Sequence, residues 1–271
     1  MTASCVIRRT VFTIGLSLLS ATAIAQTAAT QKPYEPQVGQ AGKDVVWVPT
    51  PQTLVDKMLE IAKVTPRDYL MDLGSGDGRT VITAAKRGIT AMGIEYNPDM
   101  VELSKQNAAK AGVTDKATFV KADIFETDYS KATVITMFLL PQLNLKLRPT
   151  LLDLKPGTRL VSNTFTMEEW EADETATVTD DCTSWCTALL WIVPAKVEGT
   201  WTTPQGELAL TQKFQMLTGT FGGKPITDGR LRGEEISFKV GGAAYTGRVS
   251  GNQIKGTIAG PRGGTWTATR R

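Results

Sequence analysis

Apolar residues recur along this chain with two different periods, and the change from one to the other divides it near Pro194. Before that residue, short apolar runs alternate with segments in which apolar residues repeat every three or four positions, as on one face of a helix. After it, only short segments of alternating apolar and polar residues remain. The pattern predicts an α/β domain over residues 47–194 and an all-β domain over residues 195–271.

The first of these domains alternates between predicted helices and predicted strands. One helix is predicted to be capped by Thr50, one covers residues 79–87, and one is capped by Asn97 and ends at Gly112. Strands are predicted over residues 69–73, 90–96, 117–123, 132–140, 158–165 and 187–194, the last of which is expected to close the sheet. Such alternation predicts a mostly parallel sheet with helices on both faces.

The second domain has no helical period. Short segments such as GELALTQKF and AAYTGRV alternate in character and are separated by glycine turns. This pattern is typical of an antiparallel sandwich or a small barrel, and about 77 residues are enough for an independent domain of that kind.

The N-terminus carries the pattern of an export signal. Arg8 and Arg9 precede a short apolar run, and an Ala-Ile-Ala sequence before Gln26 matches a small-residue cleavage site. The run is shorter than the roughly 20 residues that span a bilayer. Residues 1–25 are therefore predicted to be a signal peptide for the periplasm or cell envelope, cleaved after export or, as the alternative, retained as an anchor. The arginine pair also resembles a twin-arginine signal. The polar residues 26–46, punctuated by proline and glycine, are predicted to be a linker.

The charge balance gives no sign of a polyanion-binding surface. The chain has 30 basic and 27 acidic residues, and removal of residues 1–25 leaves 28 and 27. A balance so close to neutral predicts no nucleic-acid partner. Residues 195–271 hold 11 basic and 5 acidic side chains. This excess suits mild attraction to an acidic surface, but the solvated faces of a β domain explain the same count and are the favoured interpretation.

Cysteine and histidine usage limits the chemistry further. After the signal, the remaining cysteines are Cys182 and Cys186, whose pairing in a disulfide requires a loop at this spacing and an oxidising compartment. The sequence contains no histidine and no second cysteine pair, so no metal site is predicted.

A glycine-rich turn follows the first predicted strand, in the sequence LMDLGSGDGRT. Gly74, Gly76 and Gly78 lack a Cβ, so a ligand can lie against the backbone between the strand and the next helix. Dinucleotide-binding enzymes place their third glycine five residues after the first, where this chain has Arg79. The spacing therefore disfavours an oxidoreductase of that kind.

Three acidic residues fall at the ends of successive predicted strands. Asp72 stands before the glycine turn, Glu95 ends the second strand and Asp123 ends the third, all at one edge of the sheet. A carboxylate at Glu95 can accept hydrogen bonds from both hydroxyls of a ribose, and Asp72 can meet an amino group. Carboxylates in this arrangement would repel phosphates. The set therefore favours S-adenosylmethionine, which carries an ammonium, a ribose and an adenine.

At these residues the chain resembles the class I methyltransferases that use S-adenosylmethionine, whose first strand leads into an acid-x-Gly-x-Gly-x-Gly motif like D-L-G-S-G-D-G here. The resemblance covers roughly residues 45–194 and implies a Rossmann-like sheet of seven strands. It also implies that Asp72 and the three glycines surround the methionine part of the cofactor, Glu95 the ribose, and Asp123 with Ile124 the adenine.

A narrower likeness is to the small lysine methyltransferases that modify membrane-embedded proteins such as a component of ATP synthase and the ADP/ATP carrier. It rests on V-W-V-P-T-P, G-I-E-Y-N-P, F-L-L-P and R-L-V-S-x-x-F…W. It implies that Thr50 borders the cofactor and that Phe138, Leu139, Leu140 and Pro141 form the entrance for the target lysine. The export signal and the β domain depart from those relatives.

Two functions are compatible with these patterns. The first is an S-adenosylmethionine-dependent methyltransferase that modifies lysine in a protein substrate. The second is an exported, non-catalytic module that binds a nucleoside while its β domain attaches it to an envelope partner. Retention of Asp72 and Glu95 beside all three glycines favours the enzyme. No side chain of the sequence stands out as a catalytic acid or base.

Overall fold

The computed structural model describes residues 1–4, 34–260 and 263–271, so most of the predicted signal peptide, its cleavage site and the first part of the predicted linker lie outside the described residues. The helices are α1 (Gln52–Ile61), α2 (Arg79–Lys86), α3 (Pro98–Lys110) and α4 (Pro141–Leu152). The strands are β1 (Tyr69–Leu73), β2 (Thr90–Glu95), β3 (Ala117–Lys121), β4 (Val134–Met137), β5 (Arg159–Asn163), β6 (Glu174–Thr177), β7 (Thr187–Ile192), β8 (Gly199–Thr203), β9 (Gly206–Lys213), β10 (Met216–Phe221), β11 (Lys224–Pro225), β12 (Thr227–Arg232), β13 (Glu235–Val240), β14 (Ala243–Ser250), β15 (Gln253–Ala259) and β16 (Gly264–Arg270). Among the described residues, no helix has the length and apolar character needed to cross a membrane.

Strands β1 to β7 form one sheet in the order β3-β2-β1-β4-β5-β7-β6. The first five pair in parallel, whereas β7 lies antiparallel to both β5 and β6. Helices α1, α2 and α3 pack in one buried cluster, with Leu59, Val81 and Val101, and α4 packs in another through Leu147 and Leu151. The predicted Rossmann-like, mostly parallel seven-strand sheet with helices is confirmed.

Two elements around this sheet were not predicted. Strand β6 has the sequence ETAT, which carries no apolar signal, and it forms the edge of the sheet in place of residues 187–194. Helix α4 begins at Pro141 and contains Pro149. A proline inside a pattern normally indicates the end of a helix, and this conceals α4 from a search for apolar periods.

Two predicted boundaries differ from the structure: the end of the fourth strand and the cap of α1. The strand predicted over residues 132–140 is confined to β4, because the residues after Met137 leave the sheet before α4 begins. The predicted cap at Asn97 is confirmed, since its side chain accepts a hydrogen bond from the first turn of α3. The predicted cap at Thr50 is wrong: Pro51 precedes α1, and no side chain caps this helix.

Strands β8 to β16 form a second, antiparallel sheet that closes into a barrel, because β10 pairs with β9 as well as with β12. Large apolar side chains fill its interior, among them Trp201, Phe238 and Trp266. The prediction of an antiparallel all-β domain is confirmed, and of its two alternatives the barrel is present. Strand β12 was missed because its sequence, TDGRLR, is mostly polar.

The barrel contacts the first domain beside the segment that leads into β6. Trp170 stacks on Phe214 with 5.9 Å between ring centroids, and Arg230 forms an ion pair with Asp173 over 2.7 Å. Several basic residues of residues 195–271 pair with carboxylates: Lys196, Arg230, Arg232, Lys239, Arg248 and Arg271. Three of them, Lys196, Arg230 and Arg232, pair with carboxylates of the first domain, which offsets part of the positive excess of the barrel.

Candidate functional site

A pocket of about 230 Å³ lies at the edge of the first sheet where the parallel strands end. The sheet order places the ends of β3, β2 and β1 on one half of this edge, and the ends of β4 and β5 with the start of β7 on the other. Ligands of open α/β sheets bind at this edge. We call the two parts the acidic half and the aromatic half after their pocket-lining residues, which are Asp72, Glu95 and Asp123 for the first and Phe138, Phe165 and Trp185 for the second.

The glycine turn between β1 and α2 brings backbone to the pocket. Gly74 and Gly76 line the pocket with φ angles of 73° and 55°, a region that glycine adopts without steric cost. A Cβ on Gly76 would lie 2.6 Å from Nε1 of Trp47, so a side chain there would collide with the pocket wall. Gly78 does not line the pocket; a Cβ there would lie 2.8 Å from the ring of Phe119. Gly78 therefore serves the packing of α2.

Asp72 is a buried carboxyl in the central strand β1, with 6% of its surface exposed. Its Oδ1 accepts a hydrogen bond from Oγ1 of Thr136 on β4 over 2.6 Å. Burial is the main reason that the pKa of Asp72 is raised to about 7; the Thr136 bond opposes the rise, and the charges of Asp77 and Glu95 add to it. A carboxyl in this state can release its proton to pair with a cationic group of a ligand.

Glu95 is held by backbone donors on both of its oxygens. The N–H of Gly76 donates to Oε2 over 3.0 Å, and the N–H of Asn97 donates to Oε1 over 2.9 Å. The carboxylate is thereby fixed between the glycine turn and the start of α3. Each oxygen keeps a further lone pair, so Glu95 can still accept hydrogen bonds from the hydroxyls of a ribose.

Asp123 follows β3 and pairs with a residue that the sequence did not single out. Nζ of Lys43 lies 2.8 Å from Oδ2 of Asp123 and 5.1 Å from the ring centroid of Tyr96. The Lys43 bond holds the pKa of Asp123 below its ordinary value, and the carboxylates of Asp123 and Asp44 raise the pKa of Lys43. Ile124 lines the pocket beside them. Lys43 therefore lies next to the residues implied to hold the adenine.

Residues 40–50 form one wall of the pocket. The N–H of Gly39 donates to the carbonyl of Trp47 over 2.8 Å, and the N–H of Trp47 donates to the carbonyl of Gln40 over 2.9 Å. The wall thus includes the end of the segment predicted as a linker, residues 26–46. The apolar run VVWV at the end of that polar segment was the signal that could have indicated its contact with the site.

Thr50 lines the pocket, as the resemblance implies, and its side chain has a partner other than α1. Oγ1 of Thr50 accepts a hydrogen bond from Nδ2 of Asn163, at the end of β5, over 3.3 Å. The carbonyl oxygen of Thr50 accepts another from Nη1 of Arg79 over 2.8 Å. These two bonds tie the start of α1 to β5 and to the glycine turn, which explains why Thr50 does not act as a cap.

The aromatic half is formed by residues that leave the sheet. Phe138, Leu139 and Leu140 line the pocket because β4 ends before them. Pro141, the fourth residue implied for the lysine entrance, begins α4 and is not at the pocket. Within the described residues, the segments after β4 and β5 and before β7 bring no titratable side chain to the pocket. This half therefore suits an apolar part of a ligand.

Two further aromatic residues of this half, Phe165 and Trp185, were not predicted as site residues from the sequence. Phe165 stacks on Phe138 with 5.9 Å between ring centroids, and the ring of Trp185 lies 5.9 Å from that of Phe138 at 59°. Trp185 belongs to a loop closed by a disulfide between Cys182 and Cys186, as the sequence predicted, with the Cα atoms 5.8 Å apart. The position of this tryptophan between the two cysteines was the sequence signal that could have indicated its place at the pocket.

The described residues contain no cluster of histidine, cysteine, aspartate or glutamate placed to hold a metal ion. The pocket joins a carboxylate-lined half, suited to a cation with sugar hydroxyls, to an apolar half. Such a pocket can hold an activated group donor beside an acceptor. Chemistry of that kind depends mainly on the positioning of the two reactants.

Comparison with known proteins identifies relatives of the first domain. The family model for the ANTKMT methyltransferase domain matches residues 72–174. A protein-lysine N-methyltransferase of Saccharolobus islandicus is 48% identical over 139 residues, which cover 50% of this chain and 86% of that protein. The adenine nucleotide translocase lysine N-methyltransferase of Mus musculus is 32% identical over 119 residues, which cover 43% of this chain and 52% of that protein.

A solved structure gives a similar match. It is described as an RNA methyltransferase from Salinibacter ruber in complex with S-adenosyl-L-homocysteine, and it is 47% identical with a TM-score of 0.52. The match covers 55% of this chain and 96% of that chain. The chain thus covers most of the Saccharolobus islandicus protein and of the solved chain, but only about half of the Mus musculus protein.

Proposed function

This chain belongs to the class I S-adenosylmethionine-dependent methyltransferases, in the family of the protein-lysine N-methyltransferase that it matches, and we propose that it methylates the ε-amino group of a lysine in a protein substrate. The enzyme uses S-adenosylmethionine as its methyl donor. The observation that carries the proposal is the division of one pocket into a carboxylate half and an apolar half. The carboxylate half suits the methyl donor S-adenosylmethionine, and the apolar half suits the long aliphatic side chain of lysine.

The residues of the acidic half fit this cofactor. Asp72 would hold the amino group, Glu95 the ribose hydroxyls, and Asp123 the adenine, a set of acceptors that matches an ammonium and a sugar. The absence of a side chain at Gly74 leaves space for a ligand at the pocket. A Cβ there would fill this space, since it would lie 3.3 Å from Cδ2 of Leu139. When bound, the cofactor supplies a methyl group that its sulfonium has already activated for transfer.

On the acceptor side, the chain aligns the nucleophile and removes it from water. A lysine is protonated at neutral pH and must lose that proton before its nitrogen lone pair can form the new bond. The aliphatic side chains of Leu139 and Leu140 disfavour the ammonium form and so lower the pKa of a lysine beside them. Holding the neutral amine at near-attack distance can supply roughly 7–11 kcal/mol of the barrier reduction.

A methyl-transfer assay tests this function. The purified protein is incubated with radiolabelled S-adenosylmethionine and cell-envelope extract, and the modified residue is identified by mass spectrometry. We expect methylated lysine that is lost with Glu95→Ala and retained with Met216→Ala, a matched control that changes an exposed residue of the barrel. Label that nuclease treatment removes would identify RNA as the acceptor and contradict the lysine proposal, as would label confined to other amino acids.

We also propose that the protein is exported and acts in the periplasm or at the cell envelope. Support comes from the pattern of residues 1–25 and from the disulfide between Cys182 and Cys186, because disulfides persist in oxidising compartments. Fractionation of cells that express the full chain with a C-terminal tag tests this location. We expect a periplasmic protein that lacks residues 1–25; an uncleaved chain confined to the cytoplasm would contradict it.

A further inference from the structure

Trp185 is a large aromatic side chain that the fold leaves 43% exposed while it lines the pocket. It belongs to none of the clusters of buried apolar residues found in the described part of the chain. The family match ends at residue 174, so Trp185 also lies outside the matched region. Its position at the pocket suits contact with a ligand, since an aromatic ring offers a large apolar face there.

The loop that carries Trp185 is held in a defined conformation. The disulfide between Cys182 and Cys186 closes it, and β7 begins at Thr187, directly after the second cysteine. Asp181 and Trp185 have φ angles of 51° and 54°, a region that residues other than glycine adopt infrequently. Such conformations persist where the surrounding structure enforces them. The disulfide therefore fixes where the indole ring lies.

A second backbone turn places the neighbouring ring. Thr164 has a φ angle of 59°, which is an outlier for a β-branched residue, and Phe165 follows it directly. The ring of Phe165 then stacks on Phe138 at an interplanar angle of 19°, and the same Phe138 ring contacts Trp185. The segments next to three neighbouring strands, β4, β5 and β7, thus each contribute one ring to the same side of the pocket.

The charge around these rings favours a cationic ligand. Asp180 and Asp181 are exposed, directly precede Cys182, and take no part in the ion pairs found among the described residues. The aromatic half presents no basic side chain to the pocket within the described residues. On this half a phosphate-bearing acceptor would find no basic partner among the described residues, whereas an alkylammonium would be attracted by the carboxylates on the loop that carries Trp185.

We propose that Phe138, Phe165 and Trp185 form an aromatic rim that binds the aliphatic stem and amino group of the methyl acceptor, and that the disulfide between Cys182 and Cys186 positions Trp185 for this contact. The inference rests on the proposed function, because it names the residues that select a lysine acceptor. Aromatic faces attract ammonium and methylammonium groups through their quadrupole. Trp185 is then a specificity-determining residue, and the two cysteines are positioning residues.

The test follows the indole N–H resonance of Trp185 by NMR in the oxidised, ¹⁵N-labelled protein with S-adenosylhomocysteine added. Trp185→Phe assigns the resonance. The probes are N-acetyl-lysine amide, its ε-trimethyl derivative, and the neutral analogue N-acetyl-norleucine amide. We expect both cationic probes to shift the resonance and the norleucine probe to bind about fivefold more weakly. A resonance that no probe shifts, or equal binding of norleucine, would overturn the proposal.

Two variants separate the ring from its support. Trp185→Ala removes the ring, whereas the double substitution Cys182→Ala and Cys186→Ala keeps the ring and frees the loop. We expect the trimethyllysine probe, followed by saturation transfer to its own methyl signal, to bind at least about threefold more weakly to each. Trp185→Phe should restore most of the binding. A double cysteine variant that binds the probe like the wild-type protein would remove the positioning role.

Cofactor affinity is the second readout. S-adenosylhomocysteine binding, measured by calorimetry, should change by less than about twofold in Trp185→Ala, because this ring lies on the aromatic half while the donor is held by the acidic half. A parallel loss of cofactor and probe binding would assign Trp185 to the cofactor and overturn the proposal. If the wild-type protein binds no S-adenosylhomocysteine, the proposed function fails, while the probe titration still reports on the rim.

Discussion

The two halves of the pocket are built by different physical means. On the acidic half, the protein supplies a partner for each carboxylate: Thr136 for Asp72, the backbone of the glycine turn for Glu95, and Lys43 for Asp123. On the aromatic half, the rings contact one another, and positive φ angles at Thr164, Asp181 and Trp185 place two of them. A buried carboxylate needs a hydrogen-bond or ion-pair partner in the protein even when no ligand is bound. An aromatic ring has no such requirement and needs only a backbone that holds it at the pocket.

The family match covers the acidic half and only part of the aromatic half. The family match over residues 72–174 contains the three carboxylates, Phe138 and Phe165, and ends before the disulfide loop. The match therefore includes the donor side and two of the three rings, whereas Trp185 and its cysteines lie outside the matched residues. Substitutions should separate the two halves of the pocket.

The largest effect is expected from Gly76→Val. The new side chain would need the left-handed backbone at φ 55° and would collide with Trp47, so the turn must move away from Glu95. We expect S-adenosylhomocysteine affinity to fall by more than about 100-fold, with probe binding at the aromatic rim reduced far less. Calorimetry measures the first and NMR the second, and far-ultraviolet circular dichroism confirms folding. Wild-type affinity in this variant would show that the turn does not contact the ligand.

A smaller effect is expected from Glu95→Gln. The amide keeps the size of the side chain but removes the charge that strengthens hydrogen bonds from ribose hydroxyls and from Gly76. We expect a loss of cofactor affinity of about 10- to 100-fold, which corresponds to about 1.4–2.7 kcal/mol. Asp153→Asn, which changes an exposed carboxylate paired with Lys196, is the matched control and should bind normally. Equal binding by both variants would rule out the ribose role.

The pH dependence of cofactor binding should reveal Asp72. Its pKa is raised to about 7 in the free protein, so the carboxyl holds a proton below that pH and must lose it to pair with an ammonium. Affinity should rise with pH, by up to about tenfold per unit below pH 7, and level off above it, with a proton released on binding. The free protein should show the opposite trend: because the raised pKa favours the protonated folded state, its stability falls as pH rises towards 7.

Calorimetry in two buffers of different ionisation enthalpy measures that proton release, and thermal unfolding measures the stability. Asp72→Asn is the matched variant, since it cannot titrate at this position. Its cofactor affinity should be weaker, and the pH dependence between 5.5 and 7 should flatten. An unchanged pH profile in Asp72→Asn would assign the titration to another group.

The smallest effect is expected from Phe165→Leu on the aromatic half. The substitution keeps an apolar side chain but removes the ring stacked on Phe138. We expect binding of the trimethyllysine probe to weaken about two- to fivefold, with S-adenosylhomocysteine affinity unchanged. Saturation transfer and calorimetry measure the two quantities. A larger effect on the cofactor than on the probe would contradict the division of the pocket.

The acidic half could be predicted from sequence because its residues fall where strands end. Asp72, Glu95 and Asp123 follow apolar runs at regular intervals, and parallel strands bring such ends together. Gly78 shows the limit of the same pattern. It belongs to the motif, yet its missing side chain makes room for Phe119 in the packing of α2, a contact that spacing alone does not reveal.

The aromatic half could be predicted only in part, because its geometry depends on backbone that leaves the regular pattern. Phe138 was expected at the substrate entrance, but Phe165 and Trp185 reach it through turns at unusual φ angles. Thr50 was read as a helix cap because its long-range partner, Asn163, is distant in sequence. Contacts of this kind come from tertiary structure and leave no local signal.

We expect the acidic half to accept an adenosine with a positively charged sulfur or an ammonium and to reject phosphates. The most direct measurement is calorimetric titration of the chain without residues 1–25, at pH 8, with S-adenosylmethionine, with S-adenosylhomocysteine and, separately, with ADP. We expect one site with micromolar affinity for the first two ligands and no detectable binding of ADP. Binding of ADP, or no heat with either S-adenosyl compound at millimolar concentration, would contradict it.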